Sequence, residues 1–266
     1  MVPRTPGEAT ALAFDLDGNG KTDNALGGLF AALDGQTGYS LATRTDNAVA
    51  TGRLLELASV APSIAEIALR RGADLDDDPE DNLSGAEPFS LVPVEGADGY
   101  LYGSSDGATL TAGPGHAPMQ LAFDSEVPVL ALSGLEARVR LTVMDDGLVD
   151  GVVGFALLPE TVDQQVLPLV ADGIEATVER ECSGSSDPYC PPGSEGERLL
   201  NFFDDNRDGA VTLIELQSNS LISSTLGNPD LDLFDEEGVP SPQGDGIRDS
   251  LSFAVGFTAV GAVVAE

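Results

Sequence analysis

The sequence predicts an α+β fold: mainly an antiparallel β-sandwich or barrel-like sheet, with a few short helices and a helix–loop–helix insertion towards the C-terminal end. Three observations carry this expectation. The 31 glycines and 17 prolines are spread along 266 residues, as suits many short strands joined by tight turns. The stretch "ARVRLTVMDDGLVDGVVGFALL" alternates apolar and polar residues on both sides of an Asp146-Gly147 turn. The helical stretches are short, and several open on a proline or a capping residue. An apolar content of 42% is ordinary for a globular chain of this length and provides for a real core.

Taken in order, "DNALGGLFAAL" follows an acidic loop near the N-terminus and reads as a helix. "LLELASV", "IAEIALR", "GYLYG", "MQLAF" and "VPVLAL" read as strands, with residues 74–88 an exposed acidic loop between them. Ala137, Val139, Leu141 and Val143 then oppose Arg138, Arg140 and Thr142, giving one buried and one wet face. After the turn, where glycine and aspartate tolerate positive φ, Val153, Phe155 and Leu157 continue the alternation. "PETVDQQVL" and "PLVADGIEATVER" begin with proline, which is pre-organised for a first helical position. "LSFAVGFTAV" sets Leu251, Phe253, Val255, Phe257 and Ala259 on one face of a closing strand. This order suggests a β-rich core from residues 1–180 and 251–266, and a second region, 181–250, of cysteine and acidic loops.

Charge narrows the function classes. Forty-five acidic residues against 12 basic ones give −33, and Lys21 is the one lysine. Such a surface repels phosphate backbones and anionic membranes, so nucleic-acid binding is excluded; it attracts cations, or serves solubility in a salty milieu. The apolar C-terminal run is about fifteen residues, short of the ~20 that a membrane helix needs, so no membrane span is expected. "MVPRTPGEAT" is polar and proline-rich, unlike a signal peptide, so export would imply a leader trimmed from this chain. Cys182 and Cys190 fit no zinc spacing; a short-loop disulfide suits them better than free thiols and implies an oxidising compartment. His116 sits in the loop "AGPGHAP" with no nucleophile motif to serve, so no catalytic residues are expected and an enzyme is not the favoured class.

The chemistry concentrates in three acidic stretches. In "DDNRDGAVTLIE", residues 204–215, oxygen donors recur at alternate places: Asp204, Asn206 and Asp208 at one, three and five, then Thr212 at nine and Glu215 at twelve. Gly209 at six meets the need for positive φ, and Ala210 at seven needs only its carbonyl. Ser194 and Glu197 suggest a capping box ahead of "EGERLLNFF", whose Leu199, Phe202 and Phe203 form one apolar stripe. Val211 at eight is the apolar type that lets such loops pair by a β-bridge; Leu213, Ile214 and Leu216 begin an exit helix, and the short serine-rich stretch "LQSNSLISSTLGNP" is expected soon to lose helical character.

The second stretch, "DLDGNGKTDN", places Asp15, Asp17, Asn19, Lys21 and Asp23 at one, three, five, seven and nine, but Leu26 stands at twelve, so a closing carboxylate must come from elsewhere. The third, "NPDLDLFDEEGVPSPQGDGIRDSLSF", repeats the Gly-x-x-Asp template: Asn19 and Asp23 correspond to Asp245 and Asp249, and Asp230 and Asp232 are placed to complete a cage after a loop closes. The alternative in each case is a polar turn held by Asx-type bonds.

Residues 204–215 with their flanks resemble the EF-hand family over about thirty residues. The resemblance implies calcium, with Asp204, Asn206, Asp208, the Ala210 carbonyl, Thr212 and Glu215 as ligands. Chain-wide, the order of motifs is weakly similar to uncharacterised acidic exported proteins or lipoproteins of Gram-negative bacteria, which implies an extracellular or cell-envelope location. The reading that follows is a calcium-binding exported protein stabilised by its ions, one site expected and two or three allowed by the loops. A calcium-dependent adhesin or other module binding a protein or glycan partner is the alternative, and a carboxylate-based hydrolase a more distant one.

Overall fold

A computed structural model describes residues 2–41, 53–61, 64–75, 84–92, 100–121, 130–145, 147–182 and 189–265. It is an α+β structure in which one antiparallel sheet curls into a half-barrel, with a few short helices beside it. Helix α1 (Pro6–Ala11) is capped by Thr5, and α2 (Ala25–Thr37) by Asn24. The strands are β1 (Arg53–Ala61), β2 (Ile64–Asp74), β3 (Pro88–Val92), β4 (Leu101–Asp106), β5 (Thr109–Ala112), β6 (Ala117–Leu121), β7 (Leu130–Val143) and β8 (Val149–Leu157). Helix α3 (Pro159–Thr161) runs through a π-turn (Val162–Val166) into α4 (Leu167–Cys182). Helices α5 (Glu195–Phe203), α6 (Leu213–Ser218) and α7 (Ser220–Leu226) precede β9 (Leu251–Ala259) and the short β10 (Val263–Val264).

The strand order is β10-β3-β2-β4-β5-β7-β8-β9, with β1 paired to β2 and β6 to β7 beside that path. Only the β10–β3 pair is parallel among the described strands. The curl comes from the two long strands. On one edge, β2 bonds β4 through Ala65–Ile67 and β3 through Arg71–Asp74; β7 likewise bonds β6 through 130–134 and β5 through 139–142. A bulge between Leu135 and Arg138, with Glu136 at φ 51°, bends β7 between those two partners.

The alternation expected of β7 and β8 is present. Ala137, Val139, Leu141, Val153, Phe155 and Leu157 are all buried, while Arg140 and Thr142 are exposed. Met144 N–H donates to Leu148 O and Gly147 N–H to Met144 O across the turn, with Gly147 at φ 86°; Asp146 lies outside the described residues, as do 76–83 of the acidic loop. On the concave side, Phe253 stands edge-to-face with Phe30 of α2 (5.6 Å) and Phe155 of β8 (5.5 Å). The same core takes in α4, then Leu199 and Phe203 of α5, Val211, Leu216 and Ile222.

A second, smaller apolar cluster covers the other face of the sheet at β8 and β9. There Ala156 and Ala254 meet Phe14, Leu16, Leu231 and Leu233. Gly154 leaves room for the Phe14 ring, which a Cβ would strike, and the Arg140 guanidinium lies 5.2 Å over that ring. This is why residues 251–256 of β9 are buried on both faces rather than alternating.

Two local expectations change. Glu197 reaches Gly193 N–H rather than the Ser194 N–H that a full capping box requires, although Ser194 Oγ does accept from Glu197 N–H at 3.1 Å. The exit after α6 does not lose helical character: the chain breaks only at Asn219 (ψ 132°), whose Oδ1 accepts the Leu221 N–H and starts α7. Helices α1 and strands β3, β5 and β10 have no strong periodic signal, being short or at an edge.

Cys182 and Cys190 form a disulfide that ties the end of α4 to the approach of α5. Gly196 N–H adds a 2.8 Å bond to Glu181 Oε2 across the same junction. Closing a loop of eight-residue separation restricts the unfolded chain by about 2.5 kcal/mol. Reduction is expected to lower the denaturation midpoint accordingly; melts with and without reductant at constant calcium measure it, and superimposable curves would refute it.

Candidate metal centres

In the 204–215 loop the chain turns twice through positive φ, at Arg207 (61°) and Gly209 (87°). Those turns aim backbone N–H groups inward at side chains. Asp204 Oδ1 accepts from Asp208 N–H (3.1 Å) and its Oδ2 from Gly209 N–H (2.9 Å). Asn206 Oδ1 accepts from Asp208 N–H (2.8 Å), and Asp208 Oδ1 from Ala210 N–H (3.0 Å). Glu215 closes the loop from the first turn of α6. Its Oε2 accepts from Thr212 N–H (2.9 Å) and Thr212 Oγ1 (2.8 Å), and its Oε1 faces Asn206 N–H at 3.5 Å.

Thr212 and Glu215 therefore form a full capping box at the start of α6, a second helix start from the one that Ser194 caps. The Thr212 N–H bond, first, holds the buried Glu215 carboxyl below its ordinary pKa. Tyr189, brought in beside the disulfide, packs over Gly209. Val211 buries its side chain in the main core and makes no β-bridge among the described residues.

The 15–23 loop repeats the pattern. Asp15 Oδ2 accepts from Gly20 N–H (3.0 Å), and Asn19 Oδ1 from Lys21 N–H (2.8 Å). Asp17 is buried and holds Asn19 through both its N–H (3.1 Å) and its amide (2.8 Å). Asp23 N–H donates to Phe14 O (2.9 Å), which closes the loop into a β-bridge. Asp15 Oδ1 and Asp23 Oδ2 are enclosed and find no hydrogen-bond donor.

The third stretch packs beside the second. Gln243 Nε2 donates to Asp17 O (3.0 Å), and Asn24 grips β9 by accepting from Ala254 N–H (2.9 Å) and donating to Ala254 O (3.1 Å). Ala25 N–H donates to Ser252 Oγ (2.7 Å), which in turn donates to Asp230 Oδ2. The structure thus brings Asp230 next to the N-terminal loop, a neighbour that spacing along the chain could not reveal. Asp249 turns its carboxylate onto Leu233 and Phe234 N–H and onto Ser250 Oγ, so it holds the turn. Asp245 accepts from Ile247 N–H, and Asp232 from Gly246 N–H, each at 2.8 Å.

Electrostatics mark the junction of the two chain ends. Burial, then the carboxylates of Asp230 and Asp17, push Asp23 up to about 6, with Arg248 opposing. Burial also raises Asp230, against the bonds from Ser252. Because an unfolded aspartate titrates near about 3.9, the folded chain binds the extra proton between about pH 4 and 6, and this group's contribution is lost as pH rises through that window. Metal-free protein should therefore lose melting temperature between pH 5 and pH 7 relative to its Asp23→Asn variant. Parallel pH profiles for the two proteins would rule this out.

All donors in the three loops are oxygens, a set that suits a hard cation such as calcium and not zinc. No three His, Cys, Asp or Glu side chains converge into a ready metal group among the described residues. His116 is exposed. No helix of the described residues is long and apolar enough to cross a membrane. No family model matches the chain, nor does any curated protein or solved structure.

Proposed function

We propose that the chain is a calcium-binding exported or cell-envelope protein whose ions act structurally. Its first site is the 204–215 loop, held by Asp204, Asn206, Asp208, the Ala210 carbonyl, Thr212 and Glu215. The observation that carries this reading is the buried Glu215, folded back from α6 until its carboxylate faces the N–H of the third loop position. Donors from Thr212 and Asn206 keep that carboxylate charged, at the twelfth place, where a calcium loop takes its bidentate ligand. The 15–23 loop is the second site, supported by the enclosed, donor-less oxygens of Asp15 and Asp23. The disulfide supports an oxidising compartment.

The test is calcium calorimetry on chelator-treated protein and on Glu215→Gln. Loss of one equivalent in the variant, with circular dichroism unchanged, is the expected result. Unchanged stoichiometry would remove the 204–215 loop from the reading.

A further inference from the structure

Three hydrogen bonds donated by backbone N–H groups define the folded form of the 15–23 loop. The first carboxylate takes the glycine N–H at the sixth place, the fifth side chain takes the seventh N–H, and the ninth N–H returns to the residue before the first. All three recur at the other end of the chain. Asp232 Oδ2 takes Gly246 N–H (2.8 Å), Asp245 Oδ1 takes Ile247 N–H (2.8 Å), and Asp249 N–H returns to Leu231 O (2.8 Å). Gly246, at φ 77°, matches Gly20 at φ 84°.

The two loops differ in one respect. Asp15 and Asn19 are four places apart, whereas Asp232 and Asp245 are thirteen apart. The extra chain is folded out of the way. A bridge joins Phe234 to Pro240, Asp235 Oδ1 accepts from Glu237 and Val239 N–H, and Ser241 N–H (2.8 Å) and Gln243 N–H (3.0 Å) return to Leu233 O and Asp232 O. The excursion leaves and re-enters at one point, so the loop closes as if it were uninterrupted. The apolar residues agree: Phe14 and Leu16 flank Asp15 as Leu231 and Leu233 flank Asp232, and all four share the small cluster on β8 and β9.

Hydrogen bonds alone would make this a well-formed turn. The decisive feature is the Asp232 side chain, which is only 7% exposed and whose Oδ1 is enclosed without a donor. The Oδ2 bond to Gly246 ties the carboxylate to the turn, and Oδ1, on the same carbon, is buried beside it without a donor. Asp15 presents the same division, Oδ2 on glycine and Oδ1 enclosed. An enclosed carboxylate oxygen with no donor is the acceptor that a cation satisfies.

We infer that residues 230–250 are a split cation loop, with Asp232, Asp245 and the Ile247 carbonyl holding a divalent ion, and that they pair with residues 13–24 as the second half of one module joining the chain's two ends. The inference takes the ion to be calcium, as in the reading above, but uses none of the 204–215 residues.

The experiment is calcium titration by calorimetry on the full chelated chain, in the Glu215→Gln background and in that background with Asp232→Asn. Asparagine keeps an acceptor for Gly246 while removing the charge. The expected result is one further equivalent lost, with a metal-free melting temperature no lower than the parent's. Asp245→Asn, at an exposed position, should weaken the same site about tenfold without emptying it and serves if Asp232→Asn does not fold. Equal stoichiometry and affinity in parent and variants would overturn the proposal. If Glu215→Gln loses no equivalent but Asp232→Asn does, the 204–215 site fails while the split loop stands. Absence of any calcium binding defeats both.

Discussion

Adding excess chelator at constant ionic strength should lower the melting temperature by roughly 3–6 °C for each site emptied. At about 1 mM calcium, a site with a dissociation constant near ~10⁻⁴ M adds ~1.4 kcal/mol by mass action. That is a substantial part of a typical total of about 5–15 kcal/mol. The chain's −33 charge makes a control essential, because sodium alone relieves self-repulsion. Screening acts over a Debye length of about 8 Å at ~0.15 M salt, and ~1 mM calcium scarcely changes it. A calcium-specific rise in 150 mM NaCl, absent with magnesium at equal ionic strength, therefore reports site binding. If metal-free protein, verified by elemental analysis, melts at the same temperature with and without calcium, the structural role is refuted.

Much of the sheet was legible because its period-two pattern faces one apolar and one wet side. Val139, Leu141, Phe155 and Phe253 follow that pattern and are buried. The reading was weakest where tertiary contacts override it. Ser252 and Ala254 stand on the nominally outward face of β9 and are buried, because Asp230, Asn24 and the Phe14 cluster cover them. Nothing local to β9 announces that cover, which comes from Asp230, 22 places away, and from Asn24, 230 places away.

The candidate loops show the same division. Alternating oxygens and one glycine mark Asp204–Glu215 and Asp15–Asp23 as loops in the sequence, since each loop's bonds are local. Asp245 and Asp249 were recognised from the shared Gly-x-x-Asp template. The match of Asp15-Leu16 to Asp232-Leu233 was hidden by the excursion, since spacing fails once extra residues intervene. Chain order assigns Asp230 to its own loop, whereas folding sets it against Asp23. Pairing of loops from opposite ends is a property of the sheet that carries them.

Phe253→Ala should be the most damaging single truncation, at about 3–5 kcal/mol. The side chain is 1% exposed and lies between two aromatic rings in edge-to-face contact, geometry worth about 0.5–1.5 kcal/mol per pair beyond burial. The cavity opens between α2, β8 and β9, where β9 is held by β8 on one edge and by the Asn24 and Asp230 side chains on the other, which restricts collapse. Successive residues of β9 point to opposite faces, so Phe253 faces the core while Ser252 and Ala254 face the acidic loops. The substitution should then lower the melting temperature equally with calcium and with chelator, leaving stoichiometry intact. Sites without shared partners add within about 0.5 kcal/mol. A calcium-dependent gain that shrinks by more than this in Phe253→Ala would mean that the loops and the core act as one unit, with β9 transmitting between its faces.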